Sequence, residues 1–114
     1  MSFMDTVRKR AEIVRSWREH VYGVAKAVKE LLPDAEIYVF GSAVAGDLIA
    51  SSDIDILVVS EKIPGGLFEI GRVKVEIEKK AGLPYYHPFE FHLVKPGESE
   101  EYLRRAGKHI LRIC

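Results

Sequence analysis

The chain has almost no cysteine, no long apolar run and no net charge. Its one cysteine is Cys114, the last residue, which excludes an internal disulfide and a cysteine-rich metal site. No apolar stretch approaches the roughly 20 residues that span a bilayer. The N-terminus has no apolar core followed by a small-residue cleavage site, so the chain reads as cytoplasmic, with no membrane segment. Seventeen basic residues balance seventeen acidic ones, which disfavours a dedicated nucleic-acid binder, since such domains are usually strongly basic. The Gly-Lys-Ser/Thr of a Walker A loop is missing, and so is a dinucleotide fingerprint. What remains is a chain of 114 residues, 47% hydrophobic and 30% charged. That is the composition of a soluble protein with one domain, residues 1–114.

A local absence is more informative. Residues 33–60 carry five acids (Asp34, Glu36, Asp47, Asp53 and Asp55) and no Lys or Arg. The basic residues before them include Arg8, Lys9, Arg10, Arg15 and Arg18. They interleave with Glu12, Glu19 and Glu30 at helical spacing, as on a solvated helix face rather than a nucleic-acid surface. Asp53 and Asp55 therefore have no cation close to them in sequence.

Hydrophobic periodicity places these residues on elements. From Asp5 to Leu32 apolar positions step by three or four, which predicts one amphipathic helix, with Gly23 as its weak point and Pro33 as its end. Glu36–Phe40 is β-branched and aromatic, a first strand. A small-residue turn, Gly41 to Gly46, leads to Ile54-Asp55-Ile56-Leu57-Val58-Val59, a buried strand. After Pro64-Gly65-Gly66 the pattern fits a strand or a helix. The helix is favoured, with Glu76 four residues before Lys80 and with Gly82 and Pro84 as stop signals. Phe89–Val94 is the last strand, and Glu98–Ile113 a terminal helix with acids in its first turn. This order predicts an α+β fold, a small mixed β-sheet flanked by helices.

Residues i and i+2 of a strand share a face, roughly 6–7 Å apart, so Asp53 and Asp55 sit side by side. Two such carboxylates repel each other and are costly to desolvate unless something positive lies between them. A divalent ion is one solution. A distant Arg or Lys that folds in, or a turn capped by one of the two, is another. Upstream, a glycine turn exposes backbone N–H groups and Ser42 adds a hydroxyl, a combination that holds phosphate oxygens.

Read as a unit, Gly41-Ser42, ten residues, then Asp53-Ile54-Asp55-Ile56 resembles the signature of the nucleotidyltransferase superfamily with a DNA polymerase β-like palm, and especially its minimal nucleotidyltransferases. Gly46 and Ser52 match as well. The resemblance implies a palm-like fold and transfer of a nucleoside monophosphate, by expectation AMP, from NTP to an acceptor hydroxyl. It implies that Asp53 and Asp55 bind one or two Mg²⁺ ions, and that Gly41 and Ser42, with Ser52, belong to the nucleotide site. A third carboxylate on a later strand completes the metal and catalytic set. Glu90 is the candidate, being the one acid on the last strand and set between two Phe residues. His92 shares its strand face, whereas His87 has the opposite parity and reads as structural. The implied setting is a toxin–antitoxin module with a helical HEPN-type partner, and a homodimer through the long first helix is a further expectation. Two departures stand out. Ala43 and Ala45 occupy positions where many relatives carry Arg, and the third acid is Glu rather than Asp. The first of these favours an alternative, a weakly active or inactive palm that serves as a protein-binding scaffold or NTP sensor.

Overall fold

The computed structural model describes residues 2–114; Met1, at the edge of the expected 1–114 domain, lies outside them. The N-terminal stretch forms two helices, α1 (Phe3–Arg15) and α2 (Trp17–Leu31), rather than the single helix that periodicity predicts. The break falls at Ser16, not at Gly23. Ser16 leaves helical geometry at φ −112° and ψ 33°, and its hydroxyl donates to the carbonyl of Glu12 at 2.8 Å. Such back-bonding is the usual way a serine competes with the helix. The apolar stripe runs through the break unchanged, so period alone does not reveal it.

Four strands make one mixed sheet in the order β3-β2-β1-β4. β1 (Glu36–Phe40) and β2 (Ile54–Val59) pair antiparallel, joined through the short helix α3 (Ser42–Ala45). β2 then crosses over through α4 (Leu67–Ala81) to the parallel β3 (Phe89–Val94). Parallel strands need a long crossover of this kind, and Gly82, left-handed at φ 66°, ends the helix where the sequence predicts. The predicted helix Glu98–Ile113 is corrected. α5 (Pro96–Ala106) stops at Gly107, and β4 (Ile110–Arg112) pairs antiparallel with β1. Leu103, Ala106, Ile110 and Ile113 step by three and four, which imitates a helix. The true signal is Gly107, a glycine at φ 56° just past Arg104 and Arg105.

Alternation along β2 sends its side chains to opposite faces. Ile54, Ile56 and Val58 join a core with Val24, Val28 and Ile77 from α2 and α4. Leu57 and Val59 face the other way, against Val94 of β3 and Tyr102 and Leu103 of α5. Asp55 is on this second face, at the end of the sheet, where the helical cover runs out. None of the helices among the described residues is long and apolar enough to cross a membrane.

Asp34 ties the start of β1 to the exit of β2. Its carboxylate accepts from the Ser60 hydroxyl at 2.7 Å and the Glu61 N–H at 2.9 Å. These bonds, the Ser60 hydroxyl foremost, hold its pKa below the ordinary 3.8. A pKa lower in the folded than in the unfolded state stabilises the fold at neutral pH, and that contribution fades as pH falls through the acid range. Wild type should therefore melt above Asp34→Asn at pH 7, with the gap closing as melting curves are recorded at progressively lower pH.

Candidate functional site

Strand register assembles the site. Asp55 of β2 lies directly opposite Glu90 of the parallel β3, with Phe40 of β1 on its other side. His92 follows two positions after Glu90, so the pleat returns it to the same face. The outcome is a tight group in which donor atoms of Asp55, Glu90 and His92 all lie within 4.8 Å of one another. The His92 Nε2 is 3.3 Å from Asp55 Oδ1 and 4.0 Å from Glu90 Oε1. Asp55 and His92 are half-buried, whereas Glu90 is exposed.

This donor set fits a divalent ion, and carboxylates suit a hard cation of the Mg²⁺ type. Mg²⁺ takes oxygen ligands and keeps several waters, so the imidazole suits a different task. His92 contacts the Asp55 carboxylate at 3.3 Å, a placement suited to orienting it. Phe40 and Tyr102 wall the ring in, with Phe40 edge-on at 5.2 Å between centroids and Tyr102 at 5.6 Å.

The Gly-Ser turn stands beside the carboxylates. Gly41 has φ 79° and ψ −144°, a combination almost confined to glycine. A Cβ there would lie 3.0 Å from Asp55 Oδ2. Its bare backbone is thus what lets the turn approach the carboxylate. The Gly41 N–H is spent on the His109 carbonyl. The N–H groups of Ser42 and Ala43, in the first turn of α3, have no acceptor among the described residues, and the Ser42 side chain is exposed beside them.

The sequence-predicted residues are not all brought together. Asp53 stands outside the cluster, in the approach to β2, and its Oδ1 accepts from Arg10 Nη2 at 2.6 Å. The expected counter-charge is therefore in part a distant arginine. Ser52 braces the loop, its hydroxyl accepting from the Ile49 N–H at 2.9 Å. His87 is structural as expected, bonded to Glu78 and accepting from the Phe89 N–H. Sequence reasoning placed Arg10 on the solvated helix face, yet it is buried. The available signal is its spacing, four residues before Val14 and seven before Trp17, which puts it on the buried stripe.

Two clefts flank this arrangement. One of about 450 Å³ is lined by Phe40, Gly41, His92, Tyr102, Arg105 and His109. Another, of about 440 Å³, lies on the far side of the turn between the N-terminal helices and Ala43–Ala50. Neither cleft has a carboxylate in its lining; the first adjoins the carboxylate group through His92, which contacts Asp55.

Comparison with known proteins points the same way as the geometry. A family model described as "Nucleotidyltransferase domain" matches residues 21–110. A protein from Sulfolobus solfataricus, provisionally described as a nucleotidyltransferase, shares the fold at a TM-score of 0.56. The match has 20% identity and covers 96% of this chain and 83% of that one. A second solved structure with the same provisional description is 33% identical at a TM-score of 0.58. That match spans 83% of this chain and 98% of the other. Among curated proteins none matches.

Proposed function

We propose, from the premise that this chain belongs to the nucleotidyltransferase domain family, that it transfers AMP from ATP to a hydroxyl on a partner protein. The observation that carries this reading is the close grouping of Asp55, Glu90 and His92 beside the Gly41-Ser42 turn. Family membership makes an NTP the substrate. AMP as the transferred group, the acceptor and the residue roles below are our assignments.

The N–H groups of Ser42 and Ala43 and the Ser42 hydroxyl hold the β- and γ-phosphate oxygens. Asp53, Asp55 and Glu90 hold one or two Mg²⁺ ions. When bound, these offset the charge that builds on the phosphate oxygens. Glu90 accepts the proton of the acceptor hydroxyl, whose oxygen forms a bond to the α-phosphorus. The bond from that phosphorus to the bridging oxygen breaks, and pyrophosphate leaves. His92 keeps the Asp55 carboxylate oriented throughout. Because the side chains of Asp53 and Glu90 are both more than half exposed, a hydroxyl on a macromolecule has access to them.

The acceptor fits a tyrosine of a helical HEPN-type partner in a cytoplasmic toxin–antitoxin module, with residues 1–114 acting as one domain. The exposed Phe3 and Met4 of α1 leave an apolar surface for dimer formation. Incubation of the protein and candidate partners with NTPs labelled at the α-phosphate tests the reading. Label should pass to protein with ATP and Mg²⁺, with release of one pyrophosphate per AMP. Release of inorganic phosphate, or label that stays on nucleotide with every partner, would contradict it.

One pair of observations favours a second reading, a palm that binds its partner without transfer. Ala43 and Ala45 supply no charge to phosphate, and Arg10 already occupies Asp53. Under that reading Asp53→Asn leaves partner binding unchanged and there is no transfer to lose.

A further inference from the structure

We propose that Arg10 is a built-in counter-ion for Asp53 that competes with the divalent ion and so sets how readily the site loads. The inference rests on Asp53 being a metal ligand. Arg10 sits on α1, ahead of residues 21–110 that match the family.

The pair is asymmetric. The Arg10 side chain is 7% exposed while that of Asp53 is 58% exposed. Nη2 meets Asp53 Oδ1 at 2.6 Å, Nη1 makes a long 3.5 Å bond to the Ala50 carbonyl, and Nε is buried with no partner. The ring of Tyr86 lies 5.2 Å from the guanidinium carbon. A buried guanidinium with an unsatisfied donor is an unfavourable way to fill space, because neither desolvation nor the missing bond is repaid in full. A methionine would pack there without either cost, so packing does not account for the charge.

What the charge does is neutralise Asp53, in a stretch, residues 33–60, that has no cation of its own. A dication arriving at Asp53 meets that positive charge. It either shares the carboxylate with Arg10 or displaces it, and both weaken loading. Arg10–Asp53 is also the one ion pair that links α1 to the rest of the fold among the described residues. Loading the site therefore loosens the hold on α1.

The test is a Mn²⁺ titration of the metal-free protein without nucleotide, following free Mn²⁺ by electron paramagnetic resonance. Arg10→Met keeps the bulk and removes the charge, and should bind Mn²⁺ about tenfold tighter, the effect of one cation near a dication in a largely aqueous setting. Arg10→Lys should stay near wild type, and adding Asp53→Asn to Arg10→Met should erase the gain. Equal or weaker binding by Arg10→Met, with binding by wild type intact, overturns the proposal alone. If neither protein binds Mn²⁺ at millimolar levels, the metal reading of Asp53 falls and this inference falls with it. If Arg10→Met does not fold, amide exchange in wild type decides. Faster exchange in residues 3–15 with saturating Mn²⁺ supports competition, and unchanged or slower exchange refutes it.

Discussion

Asp55→Asn is expected to abolish nucleotidyl transfer, by about 10³-fold or more, while leaving the protein folded and slightly more stable. The loss follows from position. Asp55 is the one carboxylate that touches both halves of the site, opposite Glu90 and bonded to His92 on one side and against the Gly41 turn on the other. An amide supplies one weak oxygen ligand and no charge, which removes several kcal/mol of stabilisation where phosphate charge develops. The gain in stability has an equally local origin. Like charges directly opposite on neighbouring strands are destabilising, and Asp55 faces Glu90 in this way. A melting curve that rises or holds while transfer vanishes separates a metal ligand from a structural acid. A marked fall in melting temperature would mean that Asp55 serves the fold instead.

Gly41→Ala should damage stability and activity together, and for two reasons that meet at one atom. The backbone there, at φ 79° and ψ −144°, costs a residue with a Cβ about 1–3 kcal/mol. The added methyl would sit 3.0 Å from Asp55 Oδ2, closer than such contacts normally come, so the carboxylate must shift. A misplacement of about 1 Å costs roughly 10²-fold, so the shift of this carboxylate should lower transfer by up to that factor. Thermal melting and the transfer rate measured on one preparation check both parts. Gly46→Ala is the control. Its φ is also positive, at 83°, but nothing lies within 4 Å of the site of its Cβ. It should lose stability with little loss of transfer beyond what unfolding explains.

Much of this was legible in the sequence, for identifiable reasons. Ile54–Val59 and Phe89–Val94 are apolar runs bounded by Ser and Pro, so strand assignment needed no tertiary information. Period two then put Glu90 and His92 on one face. Residues 67–81 had two periodicities at once, and the Gly82 stop decided correctly for a helix. The third-acid expectation rests on the cost of an unpaired charge between Phe89 and Phe91. That premise fails, because Glu90 is exposed on the other face of the strand. What brings it to the group is strand register, which places it opposite Asp55.

What was not legible depended on contacts between distant residues. The kink at Ser16 leaves the apolar stripe intact, and β4 exists only because β1 offers it an edge. Spacing put Asp53 and Asp55 on one strand face, but Asp53 precedes the strand, where a loop and Arg10 set its direction. Arg10 itself looked like one more solvated cation, since an Arg carries no mark of burial. Only its register with Val14 and Trp17 betrays it.

The most direct measurement is calorimetric titration of wild-type protein with ATP in the presence of Mg²⁺ and again with the metal chelated, repeated on Asp55→Asn. Binding should require Mg²⁺ in wild type and disappear in the variant. Binding of equal strength with and without Mg²⁺, or binding that survives Asp55→Asn unchanged, would contradict the claim that these carboxylates form a metal–nucleotide site.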